Sequence, residues 1–276
     1  MWKAPPPLTL VPMRILPALA LAFTLLTAPA HAILEGTPSR DPNGLRRSVV
    51  YIENSAGELC SGAVIAQDLI LTAAHCMMDV ASYRVVAVNR AFRPQRHAVV
   101  ATAVHPTFVR GTTPRTQPGV DLAILKLGRP LGPDFTPLDP MAADDIRTGE
   151  RVTIAGFGLL SEWQRRTARV LRQIDLVSLG PVEVANRVVI VADRNRMAET
   201  TGAGACRGDS GGPVLARTAR GYRLDGIISW SSGALRTPDP SACGGLTAVT
   251  PISEHLDWVL QGMRILDGME GAWTRR

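Results

Sequence analysis

Residues 204–213 read Gly204-Ala205-Cys206-Arg207-Gly208-Asp209-Ser210-Gly211-Gly212-Pro213. A serine set among glycines on a tight loop has little side-chain bulk around it, so a substrate carbonyl can approach both Ser210 and the neighbouring backbone N–H groups. That setting suits a nucleophile. A serine hydroxyl is nearly inert at neutral pH and needs a base, itself oriented by a carboxylate, before it attacks a carbonyl. Two upstream segments supply the candidates: Leu71-Thr-Ala-Ala-His75-Cys76 offers His75, and Asp121-Leu-Ala-Ile-Leu-Lys-Leu127 offers Asp121 at the mouth of an apolar strand.

Working outward, the chain is rich in short runs of β-branched and apolar residues separated by turn residues. The first half carries Ser48 to Ile52, Ala63 to Ile65, Leu69 to Leu71, Tyr83 to Val88, His97 to Val104 and Asp121 to Leu127. The second carries Val152 to Gly158, Arg169 to Leu179, Val188 to Ala192, Gly212 to Leu215, Tyr222 to Trp230 and Leu246 to Val249. Between the halves, Arg129 to Pro140 holds Pro130, Pro133 and Pro137 and reads as a crossover, which puts a boundary near Asp139. Ile252, Leu256, Val259 and Leu260 share one helical face, predicting a closing helix.

The three segments around His75, Asp121 and Ser210, in that order, resemble the chymotrypsin/trypsin-like family of serine endopeptidases, as a bacterial-type secreted member. A lone Gly-Asp-Ser-Gly is weak evidence, but three matching blocks are specific, and the similarity runs from about Ile33 to near Leu260. The resemblance implies an all-β fold: two antiparallel six-stranded β-barrels with a C-terminal helix and the site in the cleft between them. It also implies peptide-bond hydrolysis through an acyl-enzyme, with protein or peptide substrates and a possible proteinaceous inhibitor as partners. A monomer without cofactor is expected.

Carried onto this sequence, the family pattern makes Ser210 the nucleophile, His75 the general base and then acid, and Asp121 the group that fixes the imidazole tautomer. The backbone N–H groups of Gly208 and Ser210 become the oxyanion hole. Asp209 becomes the partner of a freed Ile33 amine, an ion pair that shapes the hole and the pocket. Because a free α-amino group titrates near pH 8 and pairing raises that value, activity should fall at high pH.

The resemblance puts Gly204 at the base of the primary pocket, where trypsin has an aspartate, with Ala205 and Arg207 adjoining it, Ser229-Trp230-Ser231 as one wall, and Gly244 or Gly245 near the other. A neutral residue before the cut is therefore expected, and Ile228 disfavours an acidic one. The four cysteines allow three pairings, which the sequence alone leaves open. The resemblance implies Cys60 with Cys76 and Cys206 with Cys243.

Composition is consistent with this. At 276 residues and 46% hydrophobic content the chain can bury a sizeable core. Residues 1–32 have a basic Arg14, an apolar run from Ile15 to Leu26 and the small-residue end Ala30-His31-Ala32, the layout of a secretory signal peptide. Its removal would start the mature chain at Ile33, leave no stable membrane anchor, and place the protein in the periplasm or the medium. Removing Lys3 and Arg14 takes the net charge from +6 to +4 (+6 minus +2). The arginines form no basic clusters interleaved with aromatics, which argues against nucleic-acid binding. No carboxylate lies between Val80 and Arg96, so no metal is expected there. The tail from Asp267 to Arg276 carries no readable role. Two rival readings, a non-catalytic binding protein of the same fold and an esterase using the same triad, stay open at this level.

Overall fold

The structure is a computed structural model that describes residues 1–2, 33–41, 43–78, 81–159, 170–236 and 241–268. The expected leader therefore lies outside the described residues apart from Met1 and Trp2, as does the tail beyond residue 268. A two-residue strand, β1 (Thr37–Pro38), comes first. Then β2 (Val49–Asn54), β3 (Leu59–Ala66), β4 (Leu69–Thr72), β5 (Tyr83–Val88), β6 (Pro94–Val104) and β7 (Ala123–Leu127) close into a barrel in the order β2-β3-β4-β7-β6-β5. All its pairings are antiparallel.

Local sequence explains where each strand sits. Ala-Ile-Leu-Lys-Leu in β7 is buried at every position, as suits a strand flanked on both sides, whereas β6 alternates between exposed and covered residues. Lys126 is the polar exception in β7; its ammonium reaches Asp68 at 2.6 Å and Asp267 at 3.7 Å. The sequence placed its second strand at Ala63 to Ile65, but the corresponding β3 begins at Leu59. Cys60, Ser61 and Gly62 have low strand propensity and are recruited by pairing with Ile52, Tyr51 and Val50.

The second barrel comprises β8 (Arg151–Gly156), β9 (Arg172–Glu183), β10 (Arg187–Ala192), β11 (Pro213–Thr218), β12 (Gly221–Ser231) and β13 (Thr247–Pro251). Pairing of β8 with β9 closes it, and β1 adds to the outer edge of β9 as a short seventh strand. A single turn at Ser253–His255 then leads into α1 (Leu256–Gly268). This helix runs past the expected end at Leu260 because Gly262, set against Ile124, and the buried Leu266 continue its packing face on the first barrel.

Each barrel has its own apolar interior, Ile52, Val64, Ile70, Val85 and Leu125 in the first and Val152, Ile154, Val191, Val214 and Val249 in the second. A third cluster joins them: Tyr51 and Leu71 pack with Phe157, Leu215 and Ile227, and the Tyr51 and Phe157 rings lie 5.2 Å apart. Side chains buried this fully contribute about 1.5–3 kcal/mol each. The seam between the barrels is thereby fixed, and with it the relation of groups carried by opposite barrels.

Candidate active site

β4 and β7 are neighbours with Thr72 opposite Ala123, so the residues just beyond those ends meet. His75 lies in the single helical turn Ala74–Met77 that follows β4, and Asp121 lies two residues before β7. The His75 amide donates to Asp121 Oδ1 at 2.9 Å and its ring Nδ1 to Oδ2 at 2.8 Å. Facing a carboxylate, Nδ1 carries the proton, which leaves Nε2 as the basic nitrogen. Burial pushes the Asp121 carboxyl up, but the His75 charge, with hydrogen bonds from its ring, the Ser229 hydroxyl and the His75 amide, outweighs burial and holds the group below the ordinary carboxylate range.

Ser210 comes from the other barrel, on the turn that enters β11. The Ser61 amide of β3 donates to its carbonyl at 2.8 Å, and the next residue's amide, that of Gly211, donates to Ile228 at 2.7 Å. Gly211 has φ +80°, and a side chain there would run into Thr72 Oγ1 and the Ser61 carbonyl. Only glycine lets the turn press so closely on the first barrel. Cys76 Sγ, bonded to Cys60, lies 3.9 Å from His75 Nε2 and 3.9 Å from the Ser210 carbonyl oxygen, so imidazole and serine flank one disulfide. The Ser210 hydroxyl itself donates to the Ser229 carbonyl at 3.4 Å.

Two carbonyls of the loop are held by the protein. The Arg207 carbonyl accepts from Leu159 at 2.7 Å and the Gly208 carbonyl from Ser61 Oγ at 2.9 Å. Across a planar trans peptide, the Gly208 N–H then points away from Leu159. Among the described residues, neither the Gly208 nor the Ser210 amide donates to a protein acceptor. Gly208 adopts φ +92°, with Gly158 Cα 3.0 Å from where its Cβ would stand.

Asp209 is wholly buried, its oxygens accepting from Gly158 at 2.8 Å and Cys206 at 2.9 Å. Burial pushes its pKa up to about 7, with the Cys206 and Gly158 amides pulling the other way, and no cation pairs with it among the described residues. The chain is continuous through Ile33, which is fully buried in the second barrel's core at φ +46°, an unfavourable region for a β-branched residue. The Ile33–Asp209 pair is accordingly not formed in this state.

Of the expected pocket residues, Gly204, Ala205 and Gly244 lie together. Gly204 pairs with Leu34 in a short bridge, at 3.0 and 3.3 Å, and its missing Cβ would stand 3.2 Å from Gly244 Cα. Gly244 donates to the Ala205 carbonyl at 3.2 Å, Ser231 Oγ donates to the Ala242 carbonyl, and the Cys206–Cys243 disulfide ties the two loops together. Trp230 lies in β12 and Arg207 stands exposed on the rim. Beyond Ile228, β12 is paired with β13 on one side only, since β11 ends its register at Pro213 opposite Ile227. Among the described residues, one strand edge is left open beside Ser210.

Two contributions carried no signal in the sequence. Ser61, which lies before the expected strand at Ala63, accepts the Phe157 amide at 3.0 Å and fixes the Gly208 carbonyl, so it joins both halves of the loop's support. Ser229 was expected as a pocket wall, yet its hydroxyl also donates to Asp121 at 2.6 Å. As for metals, the one grouping of three ligand-type residues among the described residues is Cys60, His75 and Cys76, whose two sulfurs are spent on their disulfide.

Residues 33–259 match the family described as Trypsin. The chain belongs to the trypsin family. Its relatives include the serine proteinase Stubble of Drosophila melanogaster, 30% identical over 79% of this chain, and human cathepsin G, 29% identical over 91% of this chain and 97% of that protein. The chain spans only 29% of Stubble's length. Among solved structures, human heparin binding protein superposes with a TM-score of 0.64 at 21% identity, covering 84% of this chain and 97% of that one, a likeness of fold. The trypsin fold thus agrees with the two closed barrels, and the two disulfides are bonds of an oxidising compartment. Among the described residues no helix is long and apolar enough to cross a membrane.

Proposed function

We propose that this trypsin-family protein is a secreted serine endopeptidase that works through Ser210, His75 and Asp121. The observation that carries the reading is the 2.8 Å bond from His75 Nδ1 to the buried Asp121 carboxylate, which leaves Nε2 as the basic atom of the ring. His75 takes the Ser210 proton as Oγ attacks the carbonyl, and the amides of Gly208 and Ser210 receive the negative oxygen that develops. Collapse of that intermediate releases the amine, which leaves with the proton from His75, and water then repeats the sequence on the acyl-enzyme.

The open edge of β12 supports a peptide substrate, since an added strand would gain main-chain hydrogen bonds along Ser229 to Ser231. With glycine at 204 the pocket base holds no charge, which favours a neutral side chain before the cut. The buried Asp209, unpaired with any cation among the described residues, and the backward φ of Ile33 suit a precursor: cleavage before Ile33 would supply an amine for Asp209.

The rival is a non-catalytic binding protein, favoured by the Ser210 hydroxyl being turned to Ser229 rather than His75. The test is mass-spectrometric mapping of new peptide ends after a chain starting at Ile33 meets unfolded proteins, with Ser210→Ala as control. Ser210-dependent cuts after neutral residues are expected. Cuts after arginine or lysine would overturn the pocket reading alone, and their complete absence would favour the binding protein.

A further inference from the structure

From residue 80 to residue 120 the chain carries six arginines, Arg84, Arg90, Arg93, Arg96, Arg110 and Arg115, and no aspartate or glutamate. Two of these stand by the cleft. Arg110 is spent on the main chain beside the His75 turn, donating to the carbonyls of Met77 and Met78 at 3.5 and 3.3 Å. Arg115 is placed differently: its Cζ lies over the Trp230 ring, 5.0 Å from the centroid, and it forms no ion pair among the described residues.

The loop that presents Arg115 is held firmly. Gln117 is fully buried beneath it, accepting from the Val109 and Gly119 amides at 2.9 Å each and donating to the Val109 carbonyl at 2.9 Å and Thr112 Oγ1 at 2.7 Å. Arg115 sits in a tight turn closed by the Thr116 amide donating to Thr113 at 3.0 Å. Asn186 of the second barrel donates to the Gly119 carbonyl at 2.6 Å, so the loop is fixed to both sides of the cleft. A guanidinium resting over an aromatic ring is partly ordered in advance, and its N–H donors are well matched to a carboxylate.

Trp230 lies on the open edge of β12, where the peptide of the proposed reaction would pair. All pairings in both barrels are antiparallel, and a peptide that extends the pattern has its cut bond near Ser210 and its preceding residues running along Trp230 and Ser231. Side chains alternate along such a strand. The residue just before the cut, the first position, faces the pocket over Gly204; those at the second and fourth positions before the cut take the opposite face, toward the first barrel and its Arg115 loop.

We propose that Arg115 is a specificity-determining residue that selects substrates with an aspartate or glutamate at the second or fourth position before the cut. This rests on the peptidase reading and adds to it a substrate class: peptides with a neutral residue at the cut and an acidic one upstream.

The test uses fluorogenic peptides with one neutral residue at the cut and Asp, Glu, Asn, Gln or Lys at the second or fourth position. The acid-to-amide ratio of kcat/KM should be roughly three to ten and shrink as salt rises, as for a partly exposed ion pair. In Arg115→Gln that ratio should approach one, mainly through KM, and Arg115→Glu should turn the preference toward lysine. A wild-type ratio of one, or an acid preference retained in Arg115→Gln, overturns the proposal. Binding of the same peptides to Ser210→Ala protein, followed by fluorescence anisotropy, reads the preference without turnover. If nothing is cleaved, tighter binding of the acidic peptide that Arg115→Gln abolishes still supports Arg115, while equal binding overturns it; only the lack of Ser210-dependent cleavage counts against the peptidase.

Discussion

Ser229 and Asp121 are joined across the seam between the barrels: the Ser229 hydroxyl donates at 2.6 Å to the carboxylate oxygen that also accepts from His75 Nδ1 at 2.8 Å. The second barrel thus helps to hold the carboxylate that orients an imidazole of the first. A buried anion with this many donors is stable as an anion, which is why its pKa stays below the ordinary range despite burial.

Ser229→Ala should therefore destabilise the protein by about 1.5–3 kcal/mol at pH 7, the range for a hydrogen bond to a charged group. The sign with pH follows from the depressed pKa. Such a carboxylate contributes stability above its unfolded pKa of about 3.9, and the contribution is lost as pH falls through the lower folded value. Urea denaturation at several pH values should show the two proteins converging on acidification; a constant gap would mean the hydroxyl matters only for packing.

Asp121→Asn presents His75 Nδ1 with either an amide oxygen or an amide nitrogen, and the latter reverses the required tautomer. Peptidase activity should fall by about 10³–10⁴-fold near neutral pH, with KM changed far less. Steady-state kinetics on one peptide checks this. An effect under tenfold would remove Asp121 from the proposed triad.

Gly208→Ala tests the Gly208 amide. Its φ of +92° is strained for alanine, and the added Cβ meets Gly158 Cα at 3.0 Å, so the peptide must rotate or the loop must shift. A loss of about 10²–10³ in kcat is expected, as when one oxyanion donor is removed, together with more than about 1 kcal/mol of stability. A fully active variant would show that this amide does not meet the developing charge.

Much of this was legible in the sequence because the chemistry sits on short, characteristic segments. The residues around His75, Asp121 and Ser210 gave the fold through their resemblance, and the β-branched runs gave most strands. What stayed hidden depends on contacts between distant segments. Leu59 to Gly62 joins β3 only because β2 pairs with it, and Ser61 matters only because the second barrel's Gly208 and Phe157 come to it. The extension of α1 beyond Leu260 likewise follows from the first barrel's surface, against which Gly262 fits. No local pattern announces that Arg115 will rest over Trp230, 115 residues further along.

Asp209 supplies the last prediction. In the continuous chain its pKa is raised to about 7, against about 3.9 when unfolded, so between those values the folded state holds the proton more tightly. Stability should then decline as pH rises from about 4 to about 7 and level off beyond, by at most about 4 kcal/mol. The comparison that isolates this group is Asp209→Asn, made in full-length protein carrying Ser210→Ala so that neither form can process itself. Urea denaturation between pH 4.5 and 8 should show the parent losing stability relative to the asparagine variant as pH rises. A chain beginning at Ile33 should not show that loss, because its amine would pair with the carboxylate and lower the folded pKa. Parallel curves for parent and variant in the unbroken chain would mean that Asp209 is not held protonated there, and the same relative loss persisting in the chain that begins at Ile33 would mean that the amine does not reach it.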